Sequence, residues 1–155
     1  MRVPMALLVP AALTGCFNPV SGDYQVTADG DPVTNCENTE VDLDDDGDPV
    51  PVEVNDDKSS MTWGEASSDV SGYSNECSMD GRSFTCTFYD DGGDDGSGNE
   101  LALFAEMTGR WTSSTSMEGT FVLNSSCEGE GCGDYEAFGV EFCDASQDLI
   151  AELVE

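Results

Sequence analysis

The carboxylates between residues 42 and 53 have the spacing of a calcium-binding loop. Asp42, Asp44 and Asp46 alternate with other residues, a glycine follows at position 47, and Glu53 ends a twelve-residue pattern. Calcium prefers oxygen ligands, which such a loop supplies from three Asp side chains, one backbone carbonyl and a bidentate Glu. The pattern predicts a calcium site formed by Asp42, Asp44, Asp46, Asp48 and Glu53.

The residues around this loop do not favour the two helices that flank it in an EF-hand. Pro49 lacks a backbone N–H, Pro51 stiffens the exit, and neither flank has helical periodicity. A chain so rich in aspartate also matches the pattern by chance more often. A solvated acidic loop is therefore the leading interpretation, and a helix-free calcium loop is the alternative. No other cofactor is expected.

Catalytic chemistry finds little support in the sequence. Histidine is absent, so neither a Ser–His nor a Cys–His nucleophile can form. Glu65 beside Trp63, and Glu106 beside Met107, fall at outward positions of alternating strands, and no carboxylate pair stands out for glycoside hydrolysis. We expect a protein that is not an enzyme. Trp63 and Trp111 are interpreted as core or rim aromatics, with a ligand mouth as the alternative.

The N-terminus has the organisation of a secretory signal. Arg2 precedes an apolar run over residues 3–13, which is shorter than the ~20 apolar residues that span a bilayer. The next residues, Leu13-Thr14-Gly15-Cys16, resemble the lipobox of bacterial lipoproteins. The resemblance implies that residues 1–15 are removed, that Cys16 carries acyl chains, and that residues 16–21 form a short tether before a single domain at 22–155. A plain secretory peptide is the alternative.

The same resemblance has consequences for localisation. Phe17 follows the cysteine at the position where lipoproteins retained in the inner membrane often carry Asp. This implies a bacterial cell-envelope protein, with the outer membrane favoured. Because no later apolar run approaches membrane-spanning length, the acyl chains on Cys16 would be the whole membrane anchor.

The charge balance of the chain is strongly acidic. After the signal, Lys58, Arg82 and Arg110 are the only basic side chains against 33 acidic ones, and the whole sequence has a formal net charge of −29. Nucleic-acid binding is excluded as a main task because almost nothing can neutralise phosphates. The acidity indicates either a solubility or high-salt adaptation, or a surface that attracts cations or basic proteins.

Six cysteines remain once Cys16 is lipidated. An even number in an exported domain predicts three disulfides, and a zinc site is disfavoured without histidine or close cysteine pairs. A four-residue loop at residues 80–83 pairs Met79 with Phe84 and puts Cys77 opposite Cys86, whereas a two-residue Asp-Gly turn would put Cys77 opposite Phe84. We expect Cys77–Cys86 first, then Cys127–Cys132 across a flexible loop, then Cys36–Cys143.

Strand patterns dominate the rest of the sequence. Apolar residues alternate with polar ones over residues 22–28, 50–54, 60–65, 84–89, 101–111, 117–123 and 136–142, and more weakly over 33–41 and 73–79. Polar turn residues separate these segments, including the stretch at 90–99. One short C-terminal helix is predicted, because Asp144 or Ser146 can cap a segment with Leu149, Ile150, Leu153 and Val154 on one face.

Short strands joined by turns, with no helices between them, indicate an all-β fold, an antiparallel up-and-down meander. In architecture this resembles the small exported calycin-like barrels of the lipocalin and avidin type. The resemblance implies a closed, disulfide-stapled barrel of about eight strands, with room for side chains or one small ligand. Cys36–Cys143 supports closure, because it joins an early strand to the last one. A β-sandwich is the alternative.

These observations favour a monomeric, lipid-anchored, non-enzymatic β-barrel that binds a small ligand or has a structural role. The first alternative is an acidic inhibitor or interaction module for a basic protein such as lysozyme, as small exported lysozyme inhibitors are. Its binding would be steered by charge and weakened by salt. The second alternative is a calcium-binding acidic loop module.

Overall fold

The structure, a computed structural model, describes residues 18–36, 47–65, 73–137 and 141–154. These ranges contain one short helix, and no helix in them is long and apolar enough to cross a membrane. The strands are β1 (Gly22–Ala28), β2 (Val33–Thr34), β3 (Val50–Val54), β4 (Ser60–Trp63), β5 (Glu76–Asp80), β6 (Ser83–Asp94), β7 (Glu100–Trp111), β8 (Ser116–Glu128) and β9 (Asp144–Leu153), with helix α1 (Cys132–Ala137) before β9. The all-β prediction is confirmed.

Eight of these strands close into an antiparallel barrel. From β3 to β9 each strand pairs with its neighbour in the chain, β1 pairs with β3, and β9 pairs with β1 to close the wall. Tyr24 lies opposite Leu153 and Ala28 opposite Leu149 across that seam. The extra strand β2 pairs with the beginning of β9. Because closure removes the free strand edges of a sheet, the molecule is a barrel and not the alternative β-sandwich.

One end of the barrel is filled by large side chains, and we call it the closed end. It carries the turns at residues 55–59, 81–82 and 112–115. Tyr24 and Trp111 are almost fully buried there and pack edge to face with ring centroids 5.7 Å apart. The Tyr24 hydroxyl donates a hydrogen bond of 2.6 Å to the Val20 carbonyl, and burial raises the pKa of Tyr24 to about 12. The segment before β1 is therefore attached to this end.

A glycine pair makes room in the wall for a core aromatic. Gly109 on β7 lies opposite Gly119 on β8. A Cβ added to Gly109 would overlap the Phe84 ring and would lie 2.9 Å from the Gly119 Cα. Phe84 is 3% exposed, so its ring occupies space that a larger side chain at Gly109 would take.

The hairpin between β5 and β6 has the predicted register. Met79 lies opposite Phe84 and Cys77 opposite Cys86, and the two cysteines are joined by a disulfide. Asp80 also pairs with Ser83, so the turn contains only residues 81–82 and is shorter than the predicted loop. Gly81 adopts a φ of 62°, which a residue without Cβ does at little cost.

The other two disulfides also join the predicted partners. Cys36 is bonded to Cys143 with the Cα atoms 5.1 Å apart, and Cys127 is bonded to Cys132 with the Cα atoms 5.8 Å apart. The first bridge holds the chain after β2 against the start of β9. It therefore fastens the barrel near the seam that closes it.

The predicted C-terminal helix is wrong, because residues 144–153 form β9. Its inward side chains are buried and alternate with exposed or half-buried ones; the inward residues are Ala145, Gln147, Leu149 and Ala151. A short isolated helix is marginal in water, whereas this segment satisfies its backbone on both sides by pairing with β1 and β8. The unpaired edges of those two strands decide its conformation.

The strand predicted at residues 136–142 is also wrong where the structure describes it. Residues 132–137 form α1, residues 141–143 have no regular structure, and residues 138–140 lie outside the described residues. The edge of β8 that such a strand would need is already paired with β9. The weak pattern at 33–41 is a strand only at residues 33–34, and residues 37–41 lie outside the described residues.

Candidate functional site

The half of the barrel opposite the closed end contains a cavity of about 360 Å³. We call this the cavity end. The wall of the cavity is almost entirely apolar or aromatic; the residues that line it are Val26, Asp48, Val50, Trp63, Tyr73, Phe88, Tyr89, Leu103, Ala105, Met107, Phe121, Leu123 and Leu149. Ligand pockets are typically apolar concavities of about 300–1,000 Å³, so this cavity has the volume of a small ligand pocket.

The pleat of the strands directs these side chains inward. On β7 the alternate residues Leu103, Ala105 and Met107 line the cavity, because successive residues of a strand point to opposite faces. Ala105 lies between Tyr89 of β6 and Leu123 of β8 in the register and is 4% exposed. Its small side chain leaves space in the cavity, whereas large side chains fill the interior at the closed end.

A β-bulge brings two consecutive aromatic residues to the same cavity. The register between β6 and β7 shifts between Thr87 and Tyr89, so that Phe88 is the extra residue of β6. A bulge of this kind re-aims the side chains that follow it. As a result Phe88 and Tyr89 both line the cavity, which regular alternation would not allow.

Four aromatic rings form a connected group along one side of the cavity. The Phe88 ring lies 6.0 Å from Phe121 and 6.3 Å from Tyr73, and Tyr73 lies 5.6 Å from Tyr89. These separations are those of favourable aromatic pairs. Burial, and secondarily the neighbouring Tyr89, raises the pKa of Tyr73, so its phenol is neutral at physiological pH.

The two tryptophans have different roles. Trp63, at the end of β4, is half-buried and lines the cavity, while Trp111 is 1% exposed in the core at the closed end. The ligand-mouth interpretation therefore applies to Trp63, and the core interpretation applies to Trp111. The other lining residues were not recognised as a site from the sequence, although the alternating apolar residues of β7 and β8 indicated their inward direction.

The predicted calcium ligands are only partly within the described residues. Asp42, Asp44 and Asp46 lie outside them, as does the lipobox with Cys16. Asp48 lines the cavity, whereas Glu53 is an exposed residue of β3 next to the buried, inward Val52. Because three of its five residues lie outside the described ones, the calcium site stays a prediction. Among the described residues there is no cluster of three metal-ligating side chains.

Three strands extend from the cavity end as an acidic arm, which we define as residues 90–104 with residues 125–134; Leu103, at the base of the arm, also lines the cavity. At residues 90–99 the sequence predicted a loop, but β6 continues to Asp94 and pairs with β7 down to Glu100. The arm is closed by the Cys127–Cys132 disulfide and by Asn99, which is 5% exposed and accepts a 2.8 Å hydrogen bond from the Gly131 N–H. Over about five residues the arm extends about 17 Å.

The fold and the cavity together define a small, disulfide-stapled, closed β-barrel with an apolar interior pocket. No known family model matches the sequence. No curated protein and no solved structure matches it either.

Proposed function

We propose that this protein is a lipid-anchored lipoprotein of the bacterial cell envelope whose barrel binds a small apolar ligand without transforming it. The observation that carries the proposal is the 360 Å³ cavity with its apolar and aromatic wall. Removing an apolar ligand from water is favourable by roughly 25 cal/mol for each Å² buried, and the cavity offers an apolar surface inside the barrel. The outer membrane remains the favoured location.

The position of the tether supports an anchored binding protein. Residues 18–21 lead into β1 at the closed end, where the Val20 N–H donates to the Ser114 carbonyl at 3.0 Å. Cys16 precedes Asn18 by two residues, which span at most about 7 Å. Acyl chains on Cys16 would thus hold the closed end at the bilayer, and the cavity end would face away from the membrane.

Filling the cavity is expected to abolish ligand binding. Ala105→Phe places a ring where Ala105 now leaves space, so the affinity for the neutral apolar probe N-phenyl-1-naphthylamine should fall by at least about tenfold. The measurement is a fluorescence titration, with circular dichroism to show that the barrel is retained. Ala102→Phe is the matched control, because Ala102 is an exposed residue of the same strand. Unchanged affinity in a folded Ala105→Phe protein would contradict binding in the cavity.

The acidic arm favours a second candidate function, binding to a basic protein. All its described charged side chains are acidic; they are Asp94, Asp95, Glu100, Glu128, Glu130 and Asp134. Glu100 and Glu128 lie directly opposite each other on β7 and β8. Like charges in that position destabilise a sheet, so this pair is better explained by a binding surface than by a contribution to stability.

If the arm binds a basic protein, association with lysozyme should depend on salt and on this charge pair. The expected result is an association rate that falls about tenfold from low to physiological salt, and a further fall in the Glu100→Gln/Glu128→Gln variant. Surface plasmon resonance measures both. The control is Asp23→Asn/Glu152→Gln, which removes two charges far from the arm. Absence of binding at low salt, or equal effects of the two variants, would contradict a role of the arm in binding lysozyme.

A further inference from the structure

One ionisable carboxylate lies in the wall of the apolar cavity. Asp48 lies two residues before β3, which pairs in antiparallel fashion with β1. In that pairing Val52 lies opposite Gly22, and Val50 lies opposite Tyr24. Continued by two residues, this register puts Asp48 in the row of Val26, which also lines the cavity. Asp48 is exposed at the cavity end, so it is in contact with solvent. The other lining residues among those that the structure describes are apolar or aromatic.

Three amphipathic aromatic side chains share this cavity with Asp48. Trp63, Tyr73 and Tyr89 all line it and are all half-buried, so each presents part of its ring to the interior. The faces of Trp and Tyr rings attract cations through the ring quadrupole, and Trp does so most strongly. Among the residues that the structure describes, no basic side chain lines the cavity. The carboxylate and the aromatic rings of the cavity therefore favour a positively charged ligand group.

The basic residues of the chain are concentrated at the opposite end of the barrel. Lys58 and Arg82 lie in turns of the closed end, and Arg110 immediately precedes Trp111 there and forms an ion pair of 2.6 Å with Glu118. These are the only Lys and Arg residues after residue 2, against 33 acidic residues in the chain. The potential at the cavity end is consequently negative, which raises the local concentration of cations and lowers that of anions.

We propose that the cavity selects an amphipathic organic cation. The apolar part of this ligand fills the barrel, and its ammonium group lies at the cavity end between the Asp48 carboxylate and the aromatic rings. This inference rests on the proposed function and names its ligand class. A cation-selective cavity differs from a purely apolar one because the charge of the ligand, and not only the length of its apolar tail, must determine affinity.

The test compares three probes that share one alkyl chain: octyltrimethylammonium, octanol and octanoate, each below its micelle concentration. Displacement of N-phenyl-1-naphthylamine from the full-length domain measures their affinities. We expect octyltrimethylammonium to bind about tenfold more tightly than octanol, and octanoate to bind most weakly. Asp48→Asn should weaken the cation about fivefold and leave octanol unchanged, whereas Asp23→Asn, at the exposed start of β1, should change neither.

The outcomes separate the ligand class from the proposed function. Octanol binding as tightly as octyltrimethylammonium, or equal effects of Asp48→Asn and Asp23→Asn on the cation, would overturn the cation preference and leave an apolar binding site. Failure of every probe to bind would overturn both. The ranking of the three probes on the unmodified protein needs no variant, so it decides the inference even if Asp48→Asn is unstable.

Discussion

Removing the Cys36–Cys143 disulfide is expected to lower the free energy of unfolding by as much as about 4.7 kcal/mol, because the bridge closes a loop of roughly a hundred residues and so restricts the unfolded chain most. Its cysteines are 107 residues apart, against 5 for Cys127–Cys132. The variant is Cys36→Ala/Cys143→Ala, and the measurement is urea denaturation of each protein. A loss of this size is a large part of the stability of an ordinary domain, about 5–15 kcal/mol.

The matched control is Cys127→Ala/Cys132→Ala, for which the same entropy argument gives only about 2 kcal/mol. The difference between the two variants is the informative quantity, since each loses two cysteines and one bridge. Equal losses would mean that the long bridge does not act by closing the barrel. Non-reducing peptide mapping provides the independent check, because a Cys36 peptide linked to any residue except Cys143 would contradict the structure at its seam.

Replacing the cysteine of the predicted lipobox is expected to have an all-or-none effect on signal removal and lipidation. Cys16→Ser removes the thiol that would receive the lipid, so the precursor should keep residues 1–15 and accumulate without acyl mass. Intact-mass analysis of membrane-extracted protein measures both features. The unmodified protein should begin at Cys16 and carry the added acyl chains, which anchor firmly because each buried methylene contributes about 0.8 kcal/mol.

The control for this experiment is again Cys127→Ala/Cys132→Ala, which changes two cysteines of the barrel and should leave lipidation intact. A soluble mature form cut at another position would contradict the anchor. It would leave the cavity and its ligand unaffected, because the binding proposal depends on the barrel and not on residues 1–17.

The anchor and the cavity together suggest how such a protein would work in the envelope. If Cys16 is lipidated as proposed, the closed end would lie at the bilayer, and the cavity end and the acidic arm would face the surrounding solution. An amphipathic cation arriving from solution would meet acidic charge first and the aromatic wall next. The side chains of the Arg110–Glu118 ion pair at the closed end are 67% and 46% exposed, so this pair adds little stability.

Local sequence determined much of the barrel wall. The alternation of apolar and polar residues predicted β1 and β3 with the observed bounds and located most other strands, because a strand has a period of two wherever one face is buried. The spacing of Cys77 and Cys86 around a turn determined the register of β5 and β6 for the same local reason. The paired cysteines further indicated that the first and last parts of the chain meet.

The conformation of residues 144–153 was decided by tertiary structure. Three of the inward positions of β9 are too small or too polar to produce a clear alternating pattern; they are Ala145, Gln147 and Ala151. The leucines at 149 and 153 instead have the four-residue spacing of side chains on one face of a helix. The strand forms because β1 and β8 both present unpaired backbone groups to it, and those edges exist only after the rest of the barrel has assembled.

The candidate site was likewise decided in three dimensions. Whether an inward side chain fills the interior or leaves a cavity depends on what faces it across the barrel, so neither Ala105 nor the bulge at Phe88 could be recognised from the pattern of one strand. Asp48 shows the difference most directly. The spacing predicts a backbone role for Asp48 in a calcium loop, and only the tertiary structure shows that Asp48 also lines an apolar cavity.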